Sequence, residues 1–266
     1  MSDPPVITFL SDYGLADGFA GVCHGVIETV CPSARVIDIT HGVPPGDIRA
    51  GGLILRAALP YTPVGVHLAV VDPGVGGPRG AVAVRVGDGR VLVGPDNGLL
   101  WLAAQESGGA VEAVEIGRSR FRIEPVSATF HGRDIFAPVA ARLAAGVALE
   151  AAGEPYEPER LVALELPTPR FNDGVLVAHA VYIDHFGNVQ LDAGAEHADR
   201  AGLKLGQGAV VGGHRARYGC AFGDVAPGDL LLYEDSGRML SIAVNRGNAA
   251  ERLGLAVDDE LHIEPS

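Results

Sequence analysis

The sequence predicts an α/β N-terminal domain, with a mostly parallel sheet flanked by helices, and a smaller all-β, barrel-like C-terminal domain. Three observations predict it. Strand-like and helix-like segments alternate through residues 6–145, the pattern of βαβ units. The run 65–72 is nearly all apolar, as a strand buried on both faces must be. Beyond a proline-punctuated stretch, short β-rich runs spaced by glycine turns take over. The boundary falls between domains 1–165 and 166–266.

The elements follow in order. Val6-Ile7-Thr8-Phe9-Leu10 is a first strand, ended by Ser11-Asp12-Tyr13-Gly14. A helix over 18–30 stops at Pro32, and a second strand covers 34–39. A helix over 48–59 is closed by Pro60. The third strand is 65–72. Segments 81–86 and 90–93 form a hairpin across Gly87-Asp88-Gly89. Helices are predicted over 99–106 and 135–145. Asp134 reads as an N-cap for the second of these, with Pro138 in its first turn. Pro155, Pro158, Pro167 and Pro169 mark a linker-like stretch. Strands over 174–183, 209–211, 229–233 and 240–244 then build the second domain.

The 266 residues are 47% hydrophobic and 20% charged, which suits a chain with a sizeable core and excludes disorder or coiled coil as its main state. Twenty basic against 33 acidic residues give a net charge of −13, which argues against a nucleic-acid partner. Lys204 is the sole lysine, and its Leu-Lys-Leu setting is no phosphate-binding loop. Cys23, Cys31 and Cys220 form no CxxC and are read as buried thiols of a reducing, cytoplasmic setting. Met1-Ser2-Asp3-Pro4-Pro5 has no basic region leading into an apolar one, and no run reaches membrane-span length, so neither export nor a membrane is expected.

Ligands of open α/β sheets sit beyond the carboxyl ends of the strands. Three polar clusters fall at such places: Asp12 with Asp17, the run from Asp72 to Arg79, and Thr129-Phe130-His131-Gly132-Arg133-Asp134. In the second, an Asp ends an apolar strand and glycines permit close approach of a ligand, although a surface turn has the same composition. Gly74-Val75-Gly76-Gly77-Pro78-Arg79 is not a dinucleotide fingerprint. His131 has no structural explanation from sequence. Asp12, Asp17, Asp72, His131 and Asp134 would suit a hard divalent ion if they converged, but no metal spacing supports this, and no metal is expected.

Six motifs in order, Ser11-Asp12-Tyr13-Gly14, Asp72-Pro73-Gly74-Val75-Gly76, Gly94-Pro95-Asp96-Asn97-Gly98, Thr129-Phe130-His131-Gly132-Arg133-Asp134, Phe186-Gly187-Asn188 and Gly247-Asn248-Ala249-Ala250, together resemble the S-adenosylmethionine (SAM) hydrolases. These are also called SAM hydroxide adenosyltransferases, relatives of the fluorinase and chlorinase. The resemblance implies a homotrimer, with SAM bound where one subunit's N-terminal domain meets a neighbour's C-terminal domain. It implies conversion of SAM and water to adenosine and methionine with no cofactor. It makes Asp72, Arg79 and His131 the catalytic trio. It also carries over Asp12 to the ribose hydroxyls, Asp17 and Asp184 to the methionine amino group, and Ser236 to its carboxylate. Phe222 then stacks on adenine, Asn188 and Ala249 meet its edge, and Asn97, Gly132 and Phe186 complete the set. Gly237 stands where the fluorinase-like pattern has a basic residue, and Arg238 is the expected substitute for it.

The chemistry suits these residue types. A sulfonium is a good leaving group, and water attacking the ribose 5′ carbon must be positioned and partly deprotonated. Sequence leaves open whether Asp72 or His131 is the base. The halogenases, by resemblance, carry Tyr at Asp72, Thr at Val75 and Tyr at His131, and a carboxylate at position 72 would repel a halide. A non-catalytic SAM or adenosine sensor and a metal-dependent hydrolase are the remaining alternatives.

Overall fold

A computed structural model of the chain describes residues 3–266; Met1 and Ser2, the start of the N-terminal stretch read above, lie outside the described residues. Two compact units are present, Met1–Leu164 and Glu165–Ser266.

The first unit opens with β1 (Val6–Ser11), α1 (Phe19–Val30), β2 (Arg35–Thr40), α2 (Ile48–Ala58) and β3 (Val66–Val70). It continues with β4 (Gly80–Val86), β5 (Val91–Asp96), α3 (Trp101–Glu106), β6 (Ala110–Glu115), α4 (Ala137–Ala144) and β7 (Glu154–Tyr156). The sheet order is β2-β1-β3-β5-β4-β6-β7. The first four strands run parallel, whereas β4, β6 and β7 are added antiparallel, so the sheet is mixed. The tight 87–89 turn dictates this switch, because a short hairpin can join only antiparallel strands. Ile7 and Phe9 of β1, Leu68 and Val70 of β3, and the inner faces of α1 and α4 share one core. A fully buried side chain such as Phe9 contributes roughly 1.5–3 kcal/mol.

The stretch read as a linker begins inside this unit. Pro155 lies in β7, an edge strand where a missing N–H does no harm. Asp96 accepts from Tyr156 Oη at 2.7 Å and from Val162 N at 2.9 Å, fastening the stretch down. Cys23 and Cys31 are buried, and burial pushes the Cys23 thiol up to about 12. Cys220 corrects the expectation: it is exposed, on a loop whose backbone N–H bonds Asp224. Among the described residues no helix is long and apolar enough to cross a membrane.

The second unit comprises β8 (Arg170–Asn172), β9 (Val175–Ile183), β10 (Val189–Gly194), α5 (Ala195–Arg200), β11 (Gly208–Val211) and β12 (His214–Tyr218). It ends with β13 (Leu230–Glu234), β14 (Met239–Val244), α6 (Ala249–Leu253) and β15 (Glu260–Pro265). The order β10-β14-β13-β12-β11-β15-β9 closes through a β9–β10 pairing, and β8 extends β9 outside the ring. The result is a seven-stranded barrel filled by small and branched side chains such as Ala178, Val189, Leu232 and Ile263.

One buried group in the first unit gives a pH prediction. His67 is fully buried, its Nδ1 lies 2.9 Å from Thr8 Oγ1, and its Nε2 has no partner. Burial, with Arg90 adding to it, pulls this imidazole from 6.5 down to about 4. The neutral form is therefore the folded form, and its stability contribution is complete above pH 6.5 and is lost as pH falls toward 4. Unfolding free energy at pH 4.5 should drop by about 2–3 kcal/mol more in the parent than in His67→Gln, measured by urea denaturation.

Candidate functional site

The Asp72 loop leaves the carboxyl end of β3 and carries its own arginine back to the strand. Arg79 Nε donates to Asp72 Oδ1 at 2.9 Å, and one terminal nitrogen donates to Asp72 Oδ2. That same nitrogen, Nη2, is 2.8 Å from His131 Nδ1, while Nη1 reaches Gly80 O at 3.3 Å. The guanidinium also lies 5.3 Å from the centroid of the Phe136 ring. Asp72 and Arg79 side chains are 6% and 11% exposed, so this is a largely desolvated chain of charge and imidazole.

Its hydrogens can be assigned. A guanidinium has donors only, so His131 Nδ1 must accept and the neutral ring carries its proton on Nε2. Burial, then the facing Arg79 cation, hold the His131 pKa below its usual range. Arg79 occupies two of the roughly four acceptor positions on the Asp72 carboxylate, leaving the others free. Arg79 and His131 line an open cleft of about 790 Å³ together with Gly77, Ala81, Val126 and Ile135.

Two glycines bring the loops together. Gly76 has φ +77°, and a Cβ there would lie 2.4 Å from Ala128 O, so only glycine lets the 72–79 loop press against the segment leading to His131. Gly132 begins a π-helical turn, Gly132–Phe136, and a Cβ on it would lie 2.0 Å from Tyr13 Oη. Asp134 sits within this turn, fully buried, and corrects the N-cap expectation. Its carboxylate accepts from Ser127 N at 2.7 Å and from Arg133 Nε at 2.6 Å, and caps no helix. Burial works to raise its pKa, but these bonds outweigh burial and hold it below the usual carboxylate range. Asp134 thus anchors the loop that presents His131.

Tyr13 belongs to the first motif, but sequence reasoning gave it no role of its own. Its ring packs edge-on against Phe9 and Phe130, and its phenol is driven upward by burial, with Cys23, Asp12 and Asp72 adding to the effect. Gly132→Ala should therefore cost about 1–3 kcal/mol through overpacking, read by thermal or urea unfolding. Adding Tyr13→Phe, which deletes the clashing oxygen, should recover part of that loss.

Asp12 lies at the same end of the sheet, after β1, and its Oδ2 accepts from Gly46 N at 2.8 Å. Asp17 is exposed. Asn97 does not present a free amide: Nδ2 donates to Val71 O at 2.9 Å and Oδ1 accepts from Leu99 N at 3.1 Å. It ties the exit of β5 to the residue before Asp72, a positioning job. The five groups weighed as metal ligands, Asp12, Asp17, Asp72, His131 and Asp134, do not gather into a ligand cluster among the described residues.

The second unit holds the remaining residues. Asp184 organises the β9–β10 turn: Oδ1 accepts from Phe186 N and Asn188 N, and Oδ2 accepts from Asn188 Nδ2 at 2.8 Å. Gly187 O accepts from Ala249 N at 3.1 Å and Ala250 N at 3.0 Å, so the start of α6 docks on this turn. Asn248 caps α6 through Glu251 N. Ala249 is buried, whereas the Phe186 ring is 73% exposed. Phe222 is half exposed, its ring 5.5 Å from Tyr233. Burial, then Asp235 and Asp184, push the Tyr233 phenol up to about 12. Ser236 is exposed on the β13–β14 turn, and Asp235 holds that turn through Gly237 N and Met239 N. Arg238 in the same turn extends into solvent beside Glu234, at 3.1 Å.

Residues 7–153 match the SAM hydroxide adenosyltransferase N-terminal domain, and residues 178–262 match the corresponding C-terminal domain. A protein of Salinispora tropica named (R)-S-adenosyl-L-methionine hydrolase is 50% identical over 266 residues, covering 99% of each chain. A fluorinase of Nocardia brasiliensis is 29% identical over 227 residues, covering 76% of this chain and 75% of its own. The crystal structure of an uncharacterized conserved protein from Thermotoga maritima superposes with a TM-score of 0.90 at 37% identity, covering 97% of this chain and 99% of that one.

Proposed function

Because the chain belongs to the SAM hydroxide adenosyltransferase family, we propose that it hydrolyses S-adenosyl-L-methionine to adenosine and L-methionine, with the (R)-sulfonium epimer that its relatives' names specify as the substrate. The observation that carries this reading is the Asp72–Arg79–His131 chain at the carboxyl end of β3.

The oxygen of a bound water attacks the ribose 5′ carbon as the carbon–sulfur bond breaks. The bonding pair goes to sulfur, which leaves as a neutral thioether and needs no acid. The water proton goes to Asp72, whose free lone pairs can take it. His131, protonated on Nε2, donates to the water oxygen and holds it on line. Arg79 fixes both partners and steadies the hydroxide-like charge.

A halide would meet the Asp72 carboxylate at this place. Two like charges about 4 Å apart repel by about 4 kcal/mol at an effective dielectric of 20, enough to disfavour a halogenase reading of the fluorinase likeness. Asp12 is proposed to bind the ribose hydroxyls with its carboxylate, and Phe222 to stack on adenine. Asp17, Asp184, Phe186, Asn188, Ser236 and Ala249 are proposed to contact the ligand as the family likeness implies, and Gly132 and Asn97 to shape the site. Assembly as a homotrimer, with each ligand served by two copies, is part of the proposal. The exposed apolar side chains Leu15, Phe19 and Val22 in and just before α1 support a subunit contact.

The proposal predicts equimolar adenosine and methionine from SAM by chromatography, at a rate indifferent to chloride. A 5′-halonucleoside appearing only with halide would favour the other reading, and unchanged SAM would contradict both. A pH profile adds a second check. His131 works in the neutral form, so the acid limb of kcat/KM should lie at lower pH than an ordinary imidazole would give.

A further inference from the structure

At the edge of the first sheet, α1, β2 and the residue after β2 bring together three potential metal ligands, none of them a member of the Asp72–Arg79–His131 chain. His24 Nε2 is 2.9 Å from Asp38 Oδ1, and His41 Nε2 is 3.2 Å from that same oxygen. One ligand atom from each residue lies within 4.8 Å of the other two. A transition ion with ligand bonds of about 2.0–2.2 Å sets tetrahedral ligand–ligand edges of about 3.3–3.6 Å. The two imidazole–carboxylate pairs, at 2.9 and 3.2 Å, need part only slightly to accept one.

His41 supplies an independent reason. Its side chain is 3% exposed, and Nε2 makes no hydrogen bond although it faces Asp38. Its other nitrogen, Nδ1, is 2.7 Å from Ser11 Oγ. Metal-bound imidazoles commonly fix their tautomer this way, donating the far N–H to an oxygen and aiming a lone pair at the ion. With Nδ1–H donated to Ser11 Oγ, Nε2 presents its lone pair toward Asp38, and a cation between the two makes that approach favourable. His24 and Asp38 are 36% and 44% exposed, which gives an ion an entry path and room for water.

We propose that His24, Asp38 and His41 form a binding site for a divalent transition-metal ion, independent of the hydrolytic chemistry. Two imidazoles and one carboxylate suit Zn²⁺ and its neighbours rather than Mg²⁺ or Ca²⁺. The site would brace the exit of β1: Ser11 precedes Asp12, and Gly14 N donates to His41 O at 2.7 Å.

The test is Zn²⁺ titration by calorimetry of the chelator-stripped full chain, with Mg²⁺ as control. Expected is one Zn²⁺ per chain at micromolar or lower Kd, a metal-dependent rise in Tm, and no response to Mg²⁺. His24→Gln and Asp38→Asn alter side chains that are not deeply buried, and each should weaken Zn²⁺ at least ten-fold while leaving the metal-free Tm in place. No saturable Zn²⁺ binding, or binding unchanged in both variants, would overturn the proposal.

Discussion

Asp72→Asn is expected to lower the turnover of SAM by about 10³-fold, within the range that a positioned general base contributes. The dissociation constant for SAM should change by less than about three-fold, because the group acts on water and not on the ground-state ligand. Asparagine keeps the volume and one acceptor toward Arg79. It loses the charge, and it turns one acceptor into a donor facing the guanidinium that now donates to both carboxylate oxygens. Single-turnover kinetics alongside equilibrium binding separate the two quantities. A rate within three-fold of the parent would remove Asp72 from the chemistry.

Arg79→Lys should be nearly as damaging, by about 10²-fold in kcat, a loss comparable to removing one charge-stabilising donor. The guanidinium bonds Asp72 through two nitrogens and His131 through one of them, and an ammonium has no such fork. Its signature distinguishes positioning from simple damage. With the facing cation loosened, the His131 pKa should recover toward its ordinary value, moving the acid limb of kcat/KM to higher pH. A lower rate with an unmoved limb would mean that Arg79 serves only stability.

Where chemistry and local pattern coincide, the chain announces its structure. The apolar runs that become β1 and β3, the glycine turn of the β4–β5 hairpin and the short runs of β9, β13 and β14 were all readable from residue order. Strand β7 was hidden by Pro155, which an edge strand tolerates. Strand β15 offers only Leu261 and Ile263 to the core, too few for a periodic signal. Asp134 looked like a cap because it precedes a helix with an early proline; its real partners, Ser127 N and Arg133, depend on how the loop folds back.

The site was legible in part. Motifs located Asp72, Arg79 and His131, but their contact rests on Gly76 pressing against Ala128 O, a tertiary fact with no local signature. Tyr13, which walls the chain, lies inside the first motif but was given no role there, and Phe136, which supports Arg79, carries no sequence mark beyond being aromatic. His24 and His41 are individually unremarkable histidines, and only the packing of α1 beside β2 places both on Asp38.

Hydrolysis at the ribose 5′ carbon is most directly tested by turning over SAM in water enriched in heavy oxygen and weighing the adenosine. The account predicts one heavy oxygen in each adenosine and none newly incorporated in methionine. Unlabelled adenosine, or label in methionine, would place the bond cleavage elsewhere and contradict attack by an Asp72-activated water.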